Sequence, residues 1–223
     1  MSRGLLLVVE GAEGVGKTTQ VARLADRLVA LGIRAERYRE PGGTPLGDEI
    51  RRLLLEPAAH GVSPRAEALL FMAARAQLVA QLEARLREGT IVLLDRFFLS
   101  TYAYQIAGRG LDETLVRDAN QLAVGGLTPD LTLLLTVDSG VAQARMRARG
   151  GLDRMEREDA AFHARVSAAF LAAADGSWQA AHREAGPVQQ IDAGGSVDEV
   201  AARIDAALKS RWPETFSGLG ESL

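Results

Sequence analysis

The sequence predicts an α/β fold, a doubly wound parallel sheet of five strands flanked by helices with a short basic lid, and three observations carry that prediction. Short apolar runs alternate with segments of helical period along the whole chain. The runs at 91–94 and 131–137 are apolar at nearly every position, the pattern of strands buried on both faces. A glycine loop matching G-x-x-x-x-G-K-[ST] stands between the first run and the first helical segment, the context in which that spacing forms a phosphate cradle.

Taken in order, residues 5–9 form the first strand and lead into the loop Gly11, Ala12, Glu13, Gly14, Val15, Gly16, Lys17, Thr18. Its glycines let successive backbone N–H groups turn inward, and the helix that follows adds its positive end. Lys17 brings a mobile cation to the outer phosphates, and the Thr18 hydroxyl is a hard oxygen suited to Mg²⁺. Thr19 opens a helix to Leu31, apolar at Val21, Leu24, Ala25, Leu28 and Leu31, which Gly32 ends. Residues 33–39 are the second strand, and Pro41, Gly42 and Gly43 force an abrupt turn. Helices follow at 46–55 and 65–88, separated by breaks at Pro57, Gly61 and Pro64, with Ser63 as the cap of the second.

The third strand, 91–94, ends in Asp95-Arg96, which places an acid and a guanidinium at the strand edge where the glycine loop lies. Such a pair either meets metal and phosphate or forms a surface ion pair. A polar and aromatic segment spans 97–110 and a helix 111–124; the fourth strand is 131–137. Residues 142–149 form a basic helix interrupted by Gly150-Gly151, and helix resumes over 159–174. The last strand is 188–191 and the last helix 197–212. One domain over 1–212 is expected, with a lid at about 145–158 and a frayed tail over 213–223.

Composition narrows the function classes. A chain of 223 residues with 47% hydrophobic and 25% charged residues has enough apolar material for a buried core. Its net charge of -3 supplies no general attraction to nucleic acid, so an anion site must be local. The absence of cysteine removes disulfides, thiolate metal sites and cysteine nucleophiles. No apolar run is long enough to span a bilayer and the first residues lack a signal-peptide layout, so a cytoplasmic location without membrane partners is the default. Three histidines are scattered without ligand spacing.

Other candidates have two readings each. Phe71 and Arg75 share a helix face, either as a plane and a donor for one ligand or as core. Ser100, Thr101, Tyr104 and Gln105 suit base and sugar recognition, or cap a helix. Arg145, Arg147, Arg149 and Arg154 cluster around the glycine pair, Arg145 and Arg149 on one helix face, and are either a solvated face or a mobile source of charge for phosphoryl transfer.

Four blocks in order resemble thymidylate kinases: Glu10 to Gln20, Arg39 to Thr44, Asp95-Arg96 with Ser100-Thr101, and Leu152-Asp153-Arg154 with Glu156. The resemblance implies the nucleoside monophosphate kinase fold, ATP and dTMP as substrates, Mg²⁺ and a homodimer. It implies that Lys17 and the 11–18 loop with Thr19 hold ATP, and that Glu13 also faces the deoxyribose 3′-hydroxyl. Phe71 stacks on thymine, Arg75 donates to O4, Thr101 with Ser100 reads N3 beside Gln105, and Tyr104 fills the space of a ribose 2′-hydroxyl. Arg96 grips the acceptor phosphate and Asp95 sits near Mg²⁺ with Thr18. No arginine stands inside the glycine loop, so the resemblance assigns the catalytic arginine to the lid, at Arg154 with Arg145 and Arg149 in support. A deoxynucleoside kinase, which would use the same loop and lid, and a nucleotide-gated binding or partition ATPase are the competing readings.

Overall fold

The computed structural model describes residues 3–56 and 61–220; Pro57, His60 and the last tail residues, 221–223, lie outside the described residues. The sheet has five parallel strands, β1 (Leu6–Glu10), β2 (Ala35–Arg39), β3 (Ile91–Asp95), β4 (Leu131–Thr136) and β5 (Val188–Asp192), in the order β2-β3-β1-β4-β5. Every residue of β1 and β3 is buried, as their unbroken apolar runs require. Register fixes the working edge: Val9 lies opposite Asp95, and so does Arg39. The carboxyl ends of three strands are therefore level.

Alternation of side chains across the pleat divides β1 between two cores. Leu6 and Val8 pack with Leu78, Leu82 and Leu86 of α3 (Pro64–Arg87) and with Phe162, Val166 and Phe170 of α7 (Ala160–Ala172). Leu7 and Val9 pack with Val21, Leu24 and Leu28 of α1 (Lys17–Ala30) and with Val200, Ile204 and Leu208 of α9 (Val197–Arg211). Ser63 caps α3 by accepting from the Ala66 amide at 3.3 Å, as expected. Thr44 does the same for α2 (Pro45–Leu55), accepting from the Gly47 amide at 3.0 Å.

Most of the 97–110 segment is helical: α4 (Phe98–Thr101) runs on as a π-helix, Tyr102–Gly108. Sequence period gives no sign of this wide turn, which depends on α7 packing across it. A Cβ on Gly108 would stand 2.6 Å from the Phe162 ring, so only glycine lets that ring close on the backbone. The chain continues through α5 (Glu113–Val124) and the basic α6 (Ser139–Arg149), which buries no residue. A short α8 (Gly176–Ala181), absent from the sequence reading, is capped by Asp175. Gly14 of the loop meets α6 so closely that a Cβ there would lie 2.3 Å from the Ala142 carbonyl oxygen.

The frayed tail is corrected. Residues Pro213–Phe216 form α10, and Phe216 and Leu219 are buried in the core beneath α1 and α9. Two apolar side chains at helical spacing in a short polar stretch were too sparse to read as a packed element. Phe216→Ala should cost about 3–5 kcal/mol, the usual range for an emptied aromatic site. Urea unfolding of the variant checks this; a change below about 0.5 kcal/mol, the size of a surface substitution, would restore the frayed tail.

Candidate active site

The carboxyl edge of the sheet opens into a cavity of about 840 Å³ between the glycine loop, α3, α4 and α6. Gly16 ends the loop with φ 98° and delivers the chain into α1 at Lys17. The Lys17 ammonium is buried and folds back on the loop, donating to the carbonyls of Gly11 at 2.9 Å and Ala12 at 2.6 Å. Burial, and then the charge of Arg96, lower it to about 8, against the pull of Asp95, Glu13 and Glu10. Thr18 donates from its hydroxyl to Asp95 Oδ2 at 2.5 Å, joining the loop to the end of β3. The rest of the expected loop residues, Glu13 to Thr19, border the cavity, while Gly11 and Ala12 contribute the carbonyls behind Lys17.

Glu10 is fully buried at the end of β1 and caps the start of α4 from across the sheet. Its carboxylate accepts from the amides of Phe97 (2.7 Å) and Ser100 (3.0 Å) and from the Ser100 hydroxyl (2.7 Å). Burial raises the carboxyl, and Arg96 and these hydrogen bonds oppose the rise. Ser100 Oγ in turn accepts from Arg96 at 2.9 Å. Arg96 has φ 72°, the left-handed region that a non-glycine residue rarely enters, and its guanidinium also donates to the Gly11 carbonyl at 3.2 Å. It lies 3.7 Å from Glu13 and over the Tyr104 ring, and Tyr104 donates its hydroxyl to Glu13. Burial works against the Glu13 anion, but Arg96, Lys17 and Tyr104 together hold its carboxyl below the usual range. Of the two readings of Asp95-Arg96, a surface ion pair is thus not the arrangement found; both residues border the cavity.

On the opposite wall Phe71 is partly buried against Ile50 and Leu54 and also borders the cavity. Arg75 is deeply buried, and its five donors are all engaged: Nε and Nη2 with Glu40, Nη2 with the Phe97 carbonyl, Nη1 with Thr101 and Asn120. A contact from Arg75 to a base exchanges or shares one of those bonds. Gln105 borders the cavity while its amide donates to Glu67 at 2.9 Å.

The lid departs from expectation. Arg145 and Arg149 border the cavity. Arg145 reaches the Ala193 carbonyl at 3.1 Å, and Arg149 pairs with Glu156 at 2.5 Å. Arg154 does not border it: its guanidinium donates to the Leu54 carbonyl at 2.7 Å and to the buried Glu67 at 2.6 Å. A carboxylate inside α3 outcompetes the open cavity for that guanidinium, and nothing local to the lid sequence announces it.

Two cavity arginines have no role assigned by the sequence. Arg39, at the end of β2, lies level with Asp95, and Arg51 of α2 donates to the Pro41 carbonyl at 2.9 Å. Both follow from the turn at Pro41-Gly42-Gly43, which returns α2 across the strand ends; that turn was the signal available.

A parallel sheet with this loop after its first strand and two facing cationic walls defines a P-loop phosphotransferase. A family model described as thymidylate kinase matches residues 9–204. Thymidylate kinases from Deinococcus radiodurans (45% identical, 95% of this chain and 99% of that one) and Chromohalobacter salexigens (47%, 95% and 98%) match nearly end to end. That of Leifsonia xyli is 46% identical over 93% of this chain and 96% of its own. The chain belongs to the thymidylate kinase family.

The lowered Lys17 gives a signed prediction. With Lys17 lowered to about 8, part of the ammonium is deprotonated at pH 8 in the free protein, and bound phosphates restore its charge. ATP binding at pH 8 should therefore take up a fraction of a proton. Calorimetric titration in buffers of different ionisation enthalpy measures it; proton release would contradict the assignment.

Proposed function

We propose that the chain transfers the γ-phosphoryl group of ATP to the 5′-phosphate of dTMP, giving dTDP and ADP. One observation carries the reading: Lys17 of the donor loop and Arg96 of the acceptor wall converge on the same carbonyl, that of Gly11, at 2.9 and 3.2 Å. Two cations that share an acceptor can clamp two phosphates in contact. The incoming phosphate oxygen is already an anion at neutral pH, so transfer needs alignment and charge neutralisation rather than a general base. Lys17 and Arg96 supply these from the walls, and Arg149 with Arg145 from the lid. Arg154, held by Glu67, keeps the lid seated instead of meeting the phosphates.

Mg²⁺ fits this donor set. Thr18 and Asp95 present a hydroxyl and a carboxylate side by side at the cavity edge, hard oxygens that leave room for water and phosphate ligands. When bound, the ion shields the phosphate charge; Thr18 would hold it directly and Asp95 through water.

For the acceptor, Phe71 stacks on thymine, Arg75 donates to O4, and Thr101 with Ser100 and Gln105 receives the N3 edge. The hydrogen-bonded Tyr104 and Glu13 pair occupies the sugar side, leaving Glu13 for the 3′-hydroxyl and no space for a ribose 2′-hydroxyl. The active unit is a homodimer: Leu69 of α3 and Leu115 and Leu122 of α5 stand 62%, 70% and 87% exposed. No described helix is long and apolar enough to cross a membrane; the enzyme works in the cytoplasm, where its nucleotides are.

Coupled measurement of ADP release with each nucleoside monophosphate tests the reading. Turnover with dTMP and none with thymidine is expected; the reverse would make the chain a deoxynucleoside kinase, and activity with neither would make it a binding ATPase. Ribothymidine monophosphate should be a much poorer acceptor, and equal kcat/KM would remove Tyr104 from its role. Arg149→Ala should lower kcat about 10³-fold, as loss of a transition-state arginine does, whereas Arg154→Ala should cost less than about tenfold. Equal losses would return the charge to Arg154.

A further inference from the structure

Glu67 lies outside the cavity, in the first turns of α3, and is fully buried. A carboxylate there needs strong partners. Gln105 Nε2 donates to its Oε1 at 2.9 Å, and Arg109 Nε to the same oxygen at 3.1 Å. Its Oε2 accepts from Arg109 Nη2 at 2.9 Å and Arg154 Nη2 at 2.6 Å. Burial disfavours the anion, but the bonds from Arg109, Gln105 and Arg154 prevail and hold the carboxyl below its usual range. An ionised carboxylate only accepts. The Gln105 carboxamide must therefore turn its NH₂ to Glu67 and leave Oε1 for the cavity that Gln105 borders. Among the described residues that oxygen takes no hydrogen bond, and it is not among the buried unpaired atoms.

We infer that Glu67 is a positioning residue for base selection: by accepting from Gln105 it fixes an acceptor, Gln105 Oε1, against the N3 edge of the base. Thymine carries a hydrogen on N3 and satisfies that oxygen. Cytosine presents a lone pair there and leaves two acceptors facing each other, an arrangement that a site built on hydrogen bonds rejects strongly. Arg109, which donates to both oxygens, and Arg154, which donates to Oε2, act through Glu67, because they keep it an acceptor-only group. The inference rests on the dTMP reading above and names what makes that pocket selective.

Glu67→Gln tests it. Two guanidinium donors at Oε2, against the one that Arg109 Nε gives to Oε1, favour the new amide oxygen at the Oε2 place, which turns its NH₂ toward Gln105. Gln105 then swaps ends and offers the base a donor, the partner cytosine N3 requires. The ratio of kcat/KM for dTMP over dCMP should fall at least about tenfold, with an absolute rise in kcat/KM for dCMP, a gain that a loosened fold does not produce. Glu67→Asp, which keeps an acceptor-only group, should stay within about threefold of the wild-type ratio. A folded E67Q, judged by its melting curve, with an unchanged ratio overturns the inference, and so does an E67D that loses selectivity. A wild type that transfers to no pyrimidine monophosphate overturns the functional reading itself; a selective wild type with an equally selective E67Q overturns the role of Glu67 alone.

Discussion

The buried carboxylate of Glu10 is the interaction on which the rest of the site depends. It ends the strand that launches the donor loop, and it caps the helix that carries the acceptor wall. Without that cap the first amides of α4 would face the interior unpaired, at about 1–3 kcal/mol each. Through Ser100 it also fixes the position of Arg96, whose backbone sits in a conformation that needs surrounding structure to hold it. Parallel register does the remaining work, since Val9 and Arg39 both stand level with Asp95.

Around this tie the charges alternate. Lys17 and Arg96 lie among Glu10, Glu13 and Asp95, so these two cations are held in place by carboxylates rather than left to repel each other. Beneath the base wall, the buried pair of Arg75 and Glu40 joins the turn after β2 to α3, with Asn120 of α5 and Thr101 of α4 as further partners. Such pairs contribute little net stability, but removing one partner leaves a charge stranded. One Glu40 oxygen has no hydrogen-bond partner among the described residues, and burial raises that carboxyl.

What the sequence made legible was local. The glycine loop, the strand runs and the caps at Ser63 and Thr18's place at a helix start are set by neighbours within one turn, so spacing alone located them. Lys17, Asp95 and Arg96 followed, because a parallel sheet delivers loops to one edge. Glu10 and Glu67 stayed hidden because their partners lie far away in sequence, at Ser100 and Arg154, and Arg51 because only the turn at Pro41 brings its helix back to the strand ends. The place of Arg154 was hidden for the same reason, since a guanidinium near a hinge can turn to phosphate or to a carboxylate, and only the fold shows that Glu67 lies beside it. The C-terminal helix failed on length, its burial being decided by α1 and α9 and not by its own pattern.

The proposed transfer requires donor and acceptor walls fixed at one separation within a single cavity. A molecule joining adenosine to thymidine through five bridging phosphates tests it most directly, by calorimetric affinity and competition. Binding at least about 10²-fold tighter than either ATP or dTMP, with displacement by both, is what linked occupation of adjoining sites produces. An affinity no better than that of one nucleotide, or displacement by only one of them, would contradict a shared cavity.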